Sequence, residues 1–236
     1  MKPLKFDIKS NGQLELPPQN KASVSTILSG RVKEIMVMEG SQVKKGQVLA
    51  ILENPEVIEL QEEYIRHTSE FEFIKNDYLR KTELYKDSIN SVKEFQKAKA
   101  EYQMALAKQQ GLKAKLKLLN YSISDVEKGV VSSSFEVISP NVGYVRLIEI
   151  NMGKFVEQKQ EMFEIVDNDH IHMDLLVYEK DIDKVKIAQK VVFSISTHPE
   201  NVFYGKVFAV GKAFESEIKA VKVHAEITSK PTGLLP

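Results

Sequence analysis

Apolar and polar residues alternate in the same pattern in two distant stretches of the chain, residues 28–54 and 139–168. Glycines interrupt the alternation at the same offsets in both stretches, which is typical of short strands joined by tight turns. Matched pairs of residues include Gly30 with Gly143, Val32 with Val145, Gly40 with Gly153, Val43 with Val156 and Leu52 with Ile165. One copy is too small to bury a core, so we predict that the two copies pack together as one domain.

The residues between the two copies follow a seven-residue period instead. In residues 57–85 and again in 95–119, apolar and aromatic residues recur at the a and d positions of coiled-coil helices, and charged residues dominate elsewhere. The period breaks at residues 87–91, where Ser91 and Glu94 have the spacing of a helix capping box. We predict an antiparallel hairpin of two helices, each about 30 residues or roughly 45 Å long.

Both outer segments of the chain are rich in short alternating stretches, for example residues 191–195, 202–207 and 221–227. Several short strands with turn signals predict a small barrel or sandwich. The spacing of apolar residues between residues 178 and 190 predicts one short helix that covers it. The predicted fold class is therefore α+β, in a multi-domain and elongated molecule.

The composition limits which functions are possible. The chain has 33 basic and 33 acidic residues and a net charge of zero, so no overall field favours nucleic acid. It has no cysteine, which excludes disulfides and thiolate metal sites. No apolar run approaches the ~20 residues of a membrane span. The first residues carry no signal-peptide stretch, so we expect any export signal or lipid anchor to lie outside this sequence.

The nested order of these segments resembles the periplasmic adaptor subunits, or membrane fusion proteins, of tripartite resistance–nodulation–division efflux pumps. The heavy-metal, or cation efflux, branch of that family is the most similar. At the hairpin end the family has Arg, three residues, Leu, six residues and Ser, and Arg80, Leu84 and Ser91 stand at this spacing. The resemblance implies that these three residues dock onto an outer-membrane channel. Leu84 lies one position off the seam of the hairpin, so we expect it to be exposed. Lys159 and Ala188 stand where the family usually has glycine.

The resemblance also implies three domains and a set of partners. Residues 1–27 with 169–236 would form a β-barrel, 28–54 with 134–168 a split lipoyl-like (barrel-sandwich hybrid) domain, and 55–133 the long coiled-coil hairpin. The implied function is a non-enzymatic periplasmic adaptor, anchored at the inner membrane. It would link an inner-membrane resistance–nodulation–division transporter to an outer-membrane channel protein for export of metal cations or drugs. Self-association into a ring is implied as well, with a hexamer in the assembled pump.

Histidines supply the candidate metal ligands. His170 and His172 are two residues apart in a predicted strand, so they share one face, and Asp174 follows on that face. Such a set can bind zinc or copper, although the same alternation also produces an ordinary polar face. His224 shares its face with Lys222, which argues against a ligand there. No local stretch offers three such ligands, and we therefore expect no resident metal.

Catalytic chemistry has little support in the sequence. Carboxylates are spread along helix faces, and neither a phosphate-binding loop nor a nucleophile beside a base is recognisable. A biotinyl or lipoyl carrier domain would present a lysine at the turn where the helical segment departs, but this turn reads Glu53-Asn54-Pro55. We therefore expect no enzyme and no cofactor. A free-standing coiled-coil scaffold or a substrate- or metal-binding module remains the alternative.

Overall fold

The computed structural model describes residues 8–168, 171–196, 198–215 and 219–228. The chain divides into two compact units, one of Ser23–Glu164 and one of Met1–Ala22 with Ile165–Pro236. In chain order the elements are β1 (Asn11–Glu15), β2 (Lys21–Ser25), β3 (Gly30–Ile35), β4 (Gln42–Val43), β5 (Val48–Glu53), α1 (Glu56–Lys86), α2 (Val92–Leu118), α3 (Ile123–Glu127), β6 (Ser134–Ile138), β7 (Gly143–Ile148), β8 (Phe155–Val156), β9 (Glu161–Val166), β10 (His172–Tyr178), α4 (Glu179–Ile182), β11 (Lys190–Ile195), β12 (His198–Glu215) and β13 (Ala220–Ile227).

The two copies of the repeated pattern build one sandwich of two four-stranded sheets, with strand orders β2-β9-β7-β4 and β6-β5-β3-β8. Each sheet contains strands from both copies, because β8 pairs with β3 and β4 pairs with β7. The buried core is made of residues that the repeat matches to one another: Val32 and Val145, Val43 and Val156, Leu49 and Met162, and Leu52 and Ile165. Burying each of these side chains contributes about 1.5–3 kcal/mol, so each half stabilises the other through the shared core.

Matched backbone hydrogen bonds fasten the two copies to each other. The Gly40 N–H donates to the Val145 carbonyl at 2.8 Å, and the equivalent Gly153 N–H donates to the Val32 carbonyl, also at 2.8 Å. In both cases the valine N–H donates back to a residue next to the glycine. Both glycines have a φ near +80°, where residues with a side chain are strained. Gly40 and Gly153 are therefore required at these positions by backbone torsion.

The repeat is one strand longer than the sequence pattern indicates. β2 and β6 occupy equivalent edge positions in the two sheets. Residues 1–27 were assigned to the barrel by resemblance, yet β2 is a strand of the sandwich. Only Val24 is buried in β2, so this edge strand carries almost no apolar alternation that the sequence could reveal.

Lys159 occupies the turn position that Gly46 occupies in the first copy. The two residues have φ values of 70° and 80°, and their N–H groups donate to Thr26 and Ser139 carbonyls respectively. A Cβ atom built on Gly46 meets no other atom within 4 Å, so the space is open and only the torsion disfavours a side chain. Lys159 thus adopts a left-handed conformation that suits glycine better.

The long helices α1 and α2 are 31 and 27 residues long and run antiparallel against each other. Aromatic rings from the two helices stack in alternation, with ring centroids 4.7–6.2 Å apart: Tyr85 on Phe95, Phe95 on Tyr78, Tyr78 on Tyr102 and Tyr102 on Phe71. Such pairs contribute about 0.5–1.5 kcal/mol each beyond the area they bury. Further along, His67 is buried and its Nε2 lies 2.9 Å from the Ala105 carbonyl oxygen.

Polar side chains fix the root of this helix pair to the sandwich. Gln61 is fully buried, and its amide nitrogen donates to the Val57 and Ser132 carbonyls at 2.8 and 2.7 Å. Its amide oxygen accepts from the Ser132 N–H at 3.2 Å. Asn54 accepts from the Glu56 N–H at 2.8 Å at the start of α1. The backbone that enters and leaves the helices is therefore satisfied by side chains where the strands can no longer supply partners.

The other unit is a five-stranded antiparallel sheet with the order β1-β10-β13-β12-β11. Its core centres on Val177, Val207 and Val223. Residues next to and in both edge strands line one groove of about 970 Å³, so the sheet curls towards closure. The first seven residues of the predicted barrel segment lie outside the described ranges.

The helix expected between residues 178 and 190 is much shorter than the apolar spacing predicts. α4 covers only Glu179–Ile182, and Ala188 has a φ of 70°, which a right-handed helix cannot contain. Ile182 and Val185 nevertheless pack against the core of the sheet. The apolar spacing therefore reflects burial of one side of a turn that must return to β11.

Replacing Lys159 with glycine should stabilise the sandwich. Relief of the left-handed strain outweighs the entropy that glycine loses on folding, so we expect the free energy of unfolding to rise by up to about 1 kcal/mol. Denaturant unfolding followed by circular dichroism measures this change. The matched control is Gly46→Lys, which should lower stability by a similar amount. A loss of stability in Lys159→Gly would contradict this account of the turn.

Replacing Gln61 with leucine should destabilise the root of the helix pair. Leucine has a similar volume, but it leaves the Ser132 N–H without its partner, at a cost of about 1–3 kcal/mol. It also removes one of the hydrogen bonds to the Ser132 carbonyl, which still accepts from the Tyr121 hydroxyl at 3.1 Å. We expect a total loss of roughly 2 kcal/mol or more in denaturant unfolding. Gln110→Leu, at an exposed position of α2, is the control and should change stability by less than about 0.5 kcal/mol. Equal effects of the two substitutions would show that the Gln61 hydrogen bonds are unimportant.

Candidate functional site

The free end of the helix pair is a fixed turn. The Leu84 carbonyl accepts hydrogen bonds from the N–H groups of Ile89 at 2.9 Å and Asn90 at 3.2 Å. Ser88 has a φ of 59°, the left-handed conformation that commonly ends a helix. These bonds satisfy the carbonyl at the end of α1, so the turn holds a defined shape at the tip.

Ser91 begins the second helix. Its hydroxyl oxygen accepts from the Glu94 N–H at 3.3 Å, which is the first of the two hydrogen bonds expected of the predicted capping box. The Ser91 side chain is exposed at the same time. Ser91 therefore has a structural role at the tip whether or not a partner contacts it.

Arg80 projects into solvent from the last part of α1, with 70% of its side chain exposed. It forms an ion pair with Asp77, and Lys81 pairs with the same carboxylate at 2.8 Å. A hydrogen bond from Lys81, and to a smaller extent one from Arg80, holds the pKa of Asp77 below its usual value against the opposing effect of burial. Asp77 thus keeps two cations on the helix surface near the tip.

Leu84 is partly buried, so it is less exposed than its position off the seam suggests. Arg80 and Leu84 are one helical turn apart on one face of α1, and Ser91 follows beyond the turn.

Sequence reasoning missed two apolar side chains at this end, Ile89 with 69% and Val92 with 54% of its surface exposed. Their exposure could have been predicted, because the isoleucine lies inside a polar turn and the valine begins a helix at a position outside the heptad seam.

The sheet of the other unit brings together three metal-ligating side chains. β10 and β13 pair antiparallel with Asp174 opposite His224, and His172 precedes Asp174 by two residues on the same face. Nε2 of His172 lies 2.9 Å and Nδ1 of His224 lies 2.6 Å from the same Asp174 oxygen, Oδ1. Their ligand atoms all lie within 4.8 Å of one another. His170, the other histidine of the predicted pair, lies outside the described residues.

Asp174 is the buried centre of this group, with only 4% of its side chain exposed. Burial by itself would raise the pKa of Asp174, but interactions with Glu15 and His224, and the charge of His172, outweigh it and lower the pKa. The Nδ1 atom of His172 is also buried and has no hydrogen-bond partner among the described residues. The group therefore contains an ionised carboxylate and one imidazole nitrogen that is left unsatisfied.

Within the part of the chain that the structure describes, no helix combines the length and the apolar character needed to span a membrane.

A family model described as CzcB-like, barrel-sandwich hybrid domain matches residues 20–167. The match covers the sandwich together with the helices that interrupt it. It confirms the barrel-sandwich hybrid domain that the repeated pattern and the resemblance predicted.

Individual curated proteins of the same family also match the chain, at low sequence identity. The cobalt-zinc-cadmium resistance protein CzcB of Cupriavidus metallidurans is 24% identical over 226 residues, which are 95% of this chain and 42% of that protein. The chain spans about half or less of the length of the first curated relatives it matches.

Solved structures agree in fold. A MacA–MexA chimeric protein that contains the α-hairpin domain of Pseudomonas aeruginosa MexA superposes with a TM-score of 0.73 at 22% identity, over 95% of this chain and 73% of that chain. ZneB of Cupriavidus metallidurans superposes with a TM-score of 0.59 at 21% identity, over 95% of this chain and 91% of its own.

The family match extends over more than half of the chain, and the curated relatives and the folds of the solved structures agree with it. The chain therefore belongs to the family with a CzcB-like barrel-sandwich hybrid domain, among the membrane fusion proteins of the heavy-metal efflux branch.

Proposed function

We propose that the protein is the adaptor of a tripartite efflux pump and that it joins an inner-membrane resistance–nodulation–division transporter to an outer-membrane channel. The cargo in this proposal is a metal cation, because relatives carry the names of cobalt-zinc-cadmium and nickel-cobalt resistance proteins. The observation that carries the proposal is a helix pair rooted in a split barrel-sandwich hybrid domain and ending in a shaped tip.

The helix pair has the physical properties of a spacer. We interpret it as the long antiparallel coiled-coil hairpin of the family, with a reach of roughly 45 Å at 1.5 Å per residue. The aromatic stacks between α1 and α2 resist sliding of one helix along the other, since Tyr78, Phe95 and Tyr102 are each held between two rings of the opposite helix. The buried Gln61 fixes the root. Such a lever can hold two membrane proteins at a set separation.

In this proposal the tip is the channel-docking surface. Arg80 offers a planar set of donors that suits carboxylates and backbone carbonyls of a partner. Leu84 and Ser91 flank it, as the family spacing implies, and Ile89 and Val92 add exposed apolar surface at the same end. Exposed apolar side chains at the end of a long charged helix pair favour a protein partner there.

The remaining parts of the proposal concern assembly and location. The protein would be periplasmic, held at the inner membrane, and would catalyse no reaction. It would self-associate into a ring, which is a hexamer in the assembled pump. Large apolar side chains that the sandwich exposes to water support such a contact: Ile27, Met38, Val142, Met152 and Phe155.

Substitutions at the tip should abolish resistance without unfolding the protein. We expect Ile89→Ser and Leu84→Ser in the full-length protein to weaken channel binding by roughly 2 kcal/mol or more, about thirtyfold, as loss of a central apolar anchor does. Arg80→Gln removes the donor set without placing a second acid beside Asp77. Metal resistance of cells and cross-linking of the adaptor to the channel measure the effect. Melting temperature and helix content should stay nearly unchanged for Ile89→Ser and Arg80→Gln.

Two control variants remove the same kinds of side chain from α2, away from the tip. Met104→Ser removes an exposed apolar side chain from α2, and Lys113→Gln removes an exposed cation from the same helix. Both should leave resistance intact. The alternative, a free-standing coiled-coil scaffold, predicts that tip and arm variants behave alike. Survival of resistance in Ile89→Ser and Arg80→Gln would therefore disprove docking through the tip.

A further inference from the structure

The His172–Asp174–His224 group is built by strand register and not by a local motif. Asp174 faces His224 across the β10–β13 pair, and the two-residue period of a strand puts His172 on the same face. Three ligating side chains thus come from two central strands of a sheet, which is a stiffer support than a loop.

The chemistry of the group matches a borderline divalent transition metal. Two imidazole nitrogens and a carboxylate oxygen are the protein ligands of many three-ligand zinc sites, in which water takes the fourth position. Calcium and magnesium prefer sets made only of oxygen, and copper(I) prefers sulfur, so this set favours Zn²⁺, Cu²⁺, Co²⁺ or Ni²⁺.

The surroundings favour a cation over an additional anion. Glu15 of β1 and Glu226 of β13 both pair with His172 in register, one on each side. The Phe208 ring lies with its centroid 6.0 Å from the centroids of both imidazoles. Acidic neighbours and a partly apolar rim strengthen binding of a positive ion, because they add negative potential and limit access of water.

The burial of the group also points to a missing ligand. Asp174 and His172 have 4% and 14% of their side chains exposed, whereas His224 has 31% exposed and gives access from solvent. A buried imidazole nitrogen without a partner is uncommon in native proteins, since the loss of solvation is not repaid. An ion held by Nε2 of His172 would explain why this imidazole is buried beside a carboxylate, while its Nδ1 atom would still have no partner among the described residues.

We propose that His172, Asp174 and His224 form a binding site for one divalent transition-metal ion, held by one nitrogen of each imidazole and a carboxylate oxygen. The present separations of 2.6 and 2.9 Å are those of hydrogen bonds. Ligand atoms around zinc lie roughly 3.3 Å apart, so the two contacts to Asp174 must lengthen by about 0.7 and 0.4 Å, and ligand atoms that are now up to 4.8 Å apart must approach each other. The expectation of no resident metal considered only ligands that are close together in sequence. The register of β10 with β13 supplies the third ligand from a distant part of the chain, so the reason for that expectation no longer holds.

The site does not depend on the proposed adaptor role, so its test uses the purified chain without pump or channel. Chelator-treated protein is titrated with ZnCl₂ in a calorimeter and with CoCl₂ in a visible spectrometer. We expect one ion per chain with a dissociation constant in the micromolar range or tighter. Bound Co²⁺ should show the strong visible bands of a four- or five-coordinate site.

His224→Gln is the decisive variant, because the side chain is partly exposed and its replacement should preserve the fold, which circular dichroism checks. We expect it to weaken Zn²⁺ binding by more than roughly tenfold and to remove the Co²⁺ bands. His172→Gln should do the same. His198→Gln is the control and should bind as the unaltered chain does, because His198 lies in β12 opposite Ile195 of β11 and belongs to no candidate ligand set.

Two results would overturn the proposal. The first is the absence of saturable binding at one ion per chain, which would leave the group as a hydrogen-bonded cluster that only neutralises a buried carboxylate. The second is binding that persists in His224→Gln or is lost in His198→Gln, which would place the ion elsewhere.

Discussion

The sandwich depends on one constraint, which is that each copy of the repeated pattern completes the sheets of the other copy. Each four-stranded sheet takes strands from both halves, and the Gly40–Val145 and Gly153–Val32 hydrogen bonds close the arrangement at equivalent points. The helix pair leaves the sandwich between β5 and β6, which pair with Glu53 opposite Ser134. The position of the helix root is therefore set by a strand pairing inside the core, and the reach of the helices is built on that point.

The polar residues at the root are a consequence of this construction. The ladder of β5 with β6 stops at Glu53 and Ser134, and side chains bond the backbone beyond it. Gln61 donates to the Ser132 carbonyl, Asn54 donates to the Ser29 carbonyl, and the Tyr121 hydroxyl donates to the Ser134 carbonyl at 2.6 Å. A buried amide can satisfy a donor and an acceptor at once, which no apolar side chain of similar size can do.

The sequence predicts those features that depend on local torsion or on a regular period. Glycines with positive φ and matched valines revealed the repeat, and the seven-residue period located the aromatic residues that stack between α1 and α2. The sequence pattern could not predict contacts between residues that are far apart in the chain. His224 joins His172 only through the register of β13 with β10, and its neighbour Lys222 suggested the opposite interpretation. β2 was assigned to the barrel because an edge strand with one buried residue carries little periodic signal. The apolar spacing near Ile182 and Val185 indicated a longer helix, since burial of one side of a turn produces the same spacing.

The pairing of Glu53 with Ser134 also affects how the chain can fold. Joining two strands across a flexible loop of this length carries a large entropy cost and slows folding, because the ends must find each other by diffusion. If α1 and α2 first pair with each other, starting at the turn between them, the two ends of the long segment come within hydrogen-bonding distance. Pairing of β5 with β6 then needs only a short-range rearrangement. The number of heptads in the helices then hardly affects the cost of closing the sandwich. A lever of this design can be lengthened or shortened in evolution by whole heptads to fit a different distance, without altering the domain that holds it.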